Sequence, residues 1–111
     1  MQKAYFASGE TLDIEFRKNQ LKKLYNAINE NKQQIIGALY TDLHKSPFET
    51  YETEIGIVLE EIRFLIKHLR AWAKPKRVRT PISLFPSYGT TYFEPYGRVL
   101  IMSPWNYPFQ L

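Results

Sequence analysis

The stretch Gly97-Arg98-Val99-Leu100-Ile101-Met102-Ser103-Pro104-Trp105-Asn106-Tyr107-Pro108 decides how this chain is read. Val99 to Met102 is a continuous apolar run, and its length and pattern predict a buried strand of a parallel sheet. The run ends in a loop where one amide side chain sits between two aromatics and two prolines. In parallel sheets, ligands bind outside the carboxyl ends of the strands. Asn106 therefore stands where chemistry is expected, on a backbone stiffened by Pro104 and Pro108.

Upstream of this stretch the chain reads first as helix and then as extended segments. Residues 2–8 predict a short helix stopped by Gly9. Thr11 has the character of an N-cap, with Asp13 and Glu15 in the following turn, where carboxylates favour the helix dipole. Leu12, Phe16, Leu24 and Ile28 recur near helical spacing, which predicts a helix over 11–30. Asn31 and Gln34 have the spacing of a capping box and open a second helix to about Leu43. Gly37 in its interior is explained by the close approach of a neighbouring helix.

Ser46-Pro47-Phe48-Glu49 is the best local signal: a capping serine, proline at the first helical position and glutamate at the third. The long helix that follows carries one apolar stripe through Tyr51, Ile55, Val58, Leu59, Ile62, Leu65, Ile66, Leu69 and Trp72. Glu49, Glu52 and Glu54 come early, and Lys67, His68, Arg70 and Lys74 come late, matching the macrodipole. Pro75 ends the helix. Ser87 to Glu94, rich in threonine and tyrosine, predicts a strand, and Pro95-Tyr96-Gly97 a turn. The fold class expected is α+β: a helical part over 1–74, a basic proline-containing connector over 75–86, and strands over 87–111. A parallel strand needs a partner reached by a crossover. The Val99–Met102 strand is therefore expected to join a sheet supplied downstream or by another copy, which makes the chain a fragment of a larger fold.

With 111 residues the chain has room for one domain with a core and not for two. Its 44% hydrophobic and 15% aromatic content argues against disorder. There is no cysteine, which excludes disulfides, thiolate metal sites and a thiol nucleophile within these residues. The N-terminus lacks the apolar core of a signal peptide, and no stretch approaches the roughly 20 apolar residues of a membrane span. A cytoplasmic location follows as the default expectation. Net charge is +4, with Arg63, Lys67, Arg70, Lys74, Lys76, Arg77 and Arg79 clustered. This cluster reads as a helix end and solvated loop in preference to a phosphate-binding patch, and no nucleic-acid partner is expected. His44 and His68 lack companions at metal-ligand spacing, so no metal site is expected. Glu60 and Glu61 are adjacent on a helix and point apart.

Four segments in order resemble the N-terminal region of the aldehyde dehydrogenase superfamily, in its class 3 or fatty-aldehyde-type branch. They are Leu12-Asp13-Ile14-Glu15-Phe16-Arg17, Ala38-Leu39-Tyr40-Thr41-Asp42-Leu43-His44-Lys45, Val58-Leu59-Glu60-Glu61-Ile62 and Glu94-Pro95-Tyr96-Gly97-Arg98-Val99-Leu100-Ile101. Pro104-Trp105-Asn106-Tyr107-Pro108 is the most specific piece. The resemblance covers nearly the whole chain, and implies the opening segment of an α/β aldehyde dehydrogenase fold. It implies oxidation of an aldehyde to a carboxylic acid with NAD or NADP, through a cysteine thiolate and a glutamate base that lie beyond Leu111.

By the same resemblance, Asn106 is the side-chain donor of the oxyanion hole, Ser103, Pro104 and Trp105 line the nicotinamide end of the cofactor cleft, and Tyr107 lies near the aldehyde funnel. Read from the residues alone, Asn106 is equally a turn asparagine, Trp105 a core residue and Tyr107 hydrophobic filler. An amide donor suits the oxyanion role, because it donates without carrying charge and does not titrate. Without the cysteine the chain by itself is expected to be inactive. Homodimer formation or self-association through strands is expected, and an interaction or oligomerisation module without catalysis is the alternative function.

Overall fold

The computed structural model describes residues Met1–Leu111. Five α-helices come first: α1 Gln2–Ala7, α2 Ile14–Glu30, α3 Lys32–Leu43, α4 Pro47–Thr50 and α5 Gly56–Trp72. A π turn, Tyr51–Ile55, joins α4 to α5 without a break in the helical path. Two short strands follow, β1 Lys76–Val78 and β2 Gly89–Thr91. The architecture is α+β, helices and then a two-stranded antiparallel ribbon in the register Lys76↔Thr91, Arg77↔Thr90 and Val78↔Gly89. No helix is long and apolar enough to cross a membrane.

The helix boundaries follow from local chemistry, with two corrections to the sequence reading. Gly9 takes a left-handed φ of 75° after α1, a conformation that costs glycine little. Thr11 is not the cap of α2. Residues Glu10–Leu12 form a 3-10 turn, and the Asp13 side chain caps the helix by accepting from the Phe16 N–H. A carboxylate there satisfies an orphan amide and faces the positive end of the dipole. Asn31 and Gln34 do not form a capping box either. The Asn31 side chain turns backward and donates to the Ala27 carbonyl at 2.8 Å, closing α2 instead of opening α3. Ser46 caps α4 as its motif predicts, accepting from the Glu49 N–H at 3.1 Å with Pro47 at the first position.

The core lies between α2 and α5. Ile28, Ile55, Leu59 and Ile62 are its buried centre, and Leu21, Tyr25, Ile35, Ile36, Val58, Ile66 and Phe109 pack around them. Across the same seam Arg63 donates to the Tyr25 hydroxyl, and Arg70 pairs with Glu15. Gly37 makes room for nothing: a Cβ built there meets no atom within 4 Å. The expected neighbouring helix does not approach it.

Two features of residues 75–111 differ from their reading. The basic connector contains β1, the partner of β2. Lys76 lies over the Phe93 ring and Arg77 over the Tyr88 ring, so these cations engage aromatics of the same ribbon. The Val99–Met102 run forms no strand and is exposed, Leu100 to the extent of 84%. The physical reason is pairing: an apolar strand is stable only beside another strand, and the ribbon's two strands pair with each other.

Candidate oxyanion-hole segment

Asn106 and its neighbours lie in an irregular segment, Met102 to Tyr107, followed by a single helical turn in which the Leu111 N–H donates to the Tyr107 carbonyl at 3.0 Å. The side chain of Asn106 is exposed, and its recorded hydrogen bond is through the backbone carbonyl. Ser103 and Pro104 are exposed, and Trp105 is 88% exposed, so that residue is not core within this chain. Tyr107 is partly covered by Lys45, whose Nζ lies 4.1 Å from the ring centroid. Ser103, Pro104, Trp105 and Asn106 are thus four consecutive exposed residues, an open ledge of the chain.

The ledge is tied to the helical body by two residues that sequence reasoning passed over. Lys45 stands in the elbow between α3 and α4, after His44 in a left-handed conformation and before the Ser46 cap. Glu54 stands in the π turn. The two form an ion pair in the interior, with 10% and 0% of their side chains exposed. Lys45 Nζ also donates to the Asn106 carbonyl at 3.2 Å. Glu54 divides its oxygens: Oε1 accepts from Lys45 and Oε2 accepts from the Phe109 N–H at 2.8 Å. Phe109 packs on the core beside them. Every part of this cluster has a charge-assisted partner, as buried ions require.

The π turn explains how a carboxylate enters the core. Thr50, Glu54 and Ile55 are all fully buried. The wider turn brings consecutive residues Glu54 and Ile55 inward together. It closes by a hydrogen bond from the Gly56 N–H to the Tyr51 carbonyl. A Cβ at Gly56 would lie 2.8 Å from that carbonyl oxygen, so this geometry needs glycine. The overlooked signal for Glu54 was its position. It lies three residues after Tyr51 and four before Val58, on the apolar stripe, where a charge needs a partner.

The histidines serve helix ends and faces. His44 terminates α3 with its ring 5.8 Å from that of Tyr40. His68 Nδ1 lies 2.8 Å from the Phe64 carbonyl, and its ring stacks on Trp72.

Helices followed by a short ribbon match the α+β opening segment that the resemblance implied. The chain belongs to the aldehyde dehydrogenase family, whose model matches residues 2–111. Within that family it is similar to 4,4'-diaponeurosporen-aldehyde dehydrogenase of Staphylococcus aureus, at 53% identity over 109 residues, 98% of this chain and 24% of the relative. It is 44% identical over 106 residues to aldehyde dehydrogenase family 3 member B1 of Bos taurus, covering 96% of this chain and 23% of that one. A solved structure, the substrate-bound state of Staphylococcus aureus AldH, superposes with a TM-score of 0.95 at 52% identity, covering 98% of this chain and 24% of that chain. The chain thus spans about a quarter of the length of the relatives it matches.

Proposed function

We propose that the protein carrying this segment oxidises aldehydes to carboxylic acids, and that Asn106 stabilises the oxyanion of the reaction. A cysteine thiolate, supplied from outside residues 1–111, adds to the aldehyde carbonyl. The carbonyl π electrons move to oxygen and form a thiohemiacetal alkoxide. The Asn106 carboxamide donates a hydrogen bond to that oxygen. Loss of hydride leaves a thioester, and water activated by a carboxylate releases the acid and restores the thiolate. Such a neutral donor acts on charge that develops only during reaction, which is the most effective place for it.

Ser103, Pro104 and Trp105 fit one wall of a nicotinamide site. The Trp105 indole is open on the ledge, so a flat ring has a flat face to lie against. NAD or NADP bound there supplies the hydride acceptor. Tyr107, beside Asn106, is assigned to the aldehyde entrance. The name of the 53% identical relative supports an aldehyde as the substrate class. Residues 1–111 alone, having no cysteine, catalyse nothing in this reading.

The observation that carries the proposal is the setting of Asn106, with its backbone clamped to a buried ion pair and its side chain left outward. In the full-length enzyme, Asn106→Ala is expected to lower kcat by about 100-fold or more, with the cofactor KM near its wild-type value. Unchanged turnover would overturn the assignment.

A further inference from the structure

We infer that the buried Lys45–Glu54 pair is a positioning device for the Asn106 loop. The inference rests on the oxyanion role proposed for Asn106. It concerns residues that touch neither aldehyde nor cofactor, and so are positioning and not catalytic residues.

The first argument is what the pair holds. Lys45 grips the carbonyl of Asn106, and Glu54 grips the amide of Phe109. These two main-chain groups bracket Asn106 to Phe109, and the Tyr107–Leu111 turn closes the same short span. An ammonium has three donors and a carboxylate two oxygens. Here each ion spends one contact on its partner and another on the loop, and Lys45 also meets the Tyr107 ring. The loop is therefore fixed at the residue whose side chain does the work.

The second argument is what the pair does not do. A buried ion pair is a poor route to stability, because well-packed apolar residues of similar volume often do as well or better. Ile55, Leu59 and Phe109 belong to the apolar core that such a pair would join. An apolar pair at 45 and 54 would leave the Asn106 carbonyl and the Phe109 amide without these partners. Anchoring those two groups is a property that an apolar pair lacks. A hydrogen-bond donor to an oxyanion must be placed to within about half an ångström, which gives such an anchor its purpose.

A double-mutant cycle in the full-length enzyme tests this. Lys45→Met combined with Glu54→Gln removes both charges and leaves neither buried alone. It is expected to lower kcat by about tenfold or more with little change in cofactor KM, because the donor is misplaced rather than lost. In an Asn106→Ala background the same removal should change kcat by less than about twofold, since no donor remains to misplace. An equal fall in both backgrounds, or no fall with Asn106 present, overturns the inference. If that pair does not fold, Lys45→Met with Glu54→Met, an apolar pair that frees both loop groups and leaves no buried charge, carries the cycle under the same criteria. The two readings fail differently. Asn106→Ala with full turnover removes the oxyanion role itself, whereas a slow Asn106→Ala enzyme with additive effects at 45 and 54 removes only the positioning role.

Discussion

Two ion pairs at opposite extremes of burial show what a single residue contributes. Breaking the Lys45–Glu54 pair from one side would leave a buried charge, at a cost of about 3–5 kcal/mol. The Glu15–Arg70 pair joins α2 to α5 at the surface, with Glu15 half exposed. The hydrogen bond from Arg70, aided by Lys18 and Lys22, holds the Glu15 carboxyl below its usual 4.5. A depressed carboxylate pKa adds stability above the unfolded value, and that stability is lost as pH falls through the folded value. Glu15→Gln is therefore expected to lower the melting temperature slightly at neutral pH. The gap from wild type should narrow as pH drops from about 4.5 towards about 2, and shrink in high salt. Melts across that pH range check it, and a gap independent of pH would refute it. At this scale the sequence was partly readable. Asn106 drew attention through its flanking prolines, a local signal. Glu54 did not, because a glutamate early in a helix has an ordinary dipole explanation, and only the tertiary fold shows which carboxylates turn inward.

Helical elements were legible because their determinants are local. The Ser46-Pro47 start and the apolar stripe of α5 need no distant partner to be recognised. The π turn was not legible, since an inward glutamate beside an inward isoleucine carries no local sequence signal of an inserted residue. Its sensitivity is nonetheless concentrated at one position. Gly56→Ala places a methyl group against the Tyr51 carbonyl oxygen, where only 2.8 Å is available. The turn must then distort, and overpacking of this kind costs roughly 1–3 kcal/mol. The expected outcome is a lower urea midpoint together with reduced kcat, because Glu54 rides on the same turn. A variant with both values unchanged would show that the turn tolerates the methyl. The Val99–Met102 run is the opposite case: within residues 1–111 it has no strand partner and forms no strand. Its strand character depends on a neighbour, and sequence pattern cannot supply one.

Taken alone, residues 1–111 are long and thinly covered. Their radius of gyration is 19.6 Å and their extents are 65 × 31 × 25 Å, against about 13 Å for a compact chain near this length. Eight of 111 residues are buried. Val99, Leu100, Ile101 and Met102 are exposed in series, and an open groove lined by Phe6, Phe16, Leu21, Leu65, Leu69 and Val99 runs beside them. Exposed apolar surface of this continuity favours association. Light scattering on residues 1–111 is expected to give a mass above the 13.2 kDa monomer. Leu100→Lys with Met102→Lys should move that mass back towards monomer, and a wild-type monomer at every concentration would refute the expected self-association. The α+β class was readable because helix and strand preferences come in sequence order. The open shape was not, because burial is decided by what faces each surface.

The clasp beneath the amide loop makes its hydrogen bonds to peptide groups, the Asn106 carbonyl and the Phe109 amide. Main-chain carbonyls and amides are common to nearly every amino acid. A side chain of the loop that takes no part in the fastening, such as the exposed Trp105, can accordingly change while the grip underneath stays intact. A scaffold of this kind separates the part that must hold still from the part that is open to innovation.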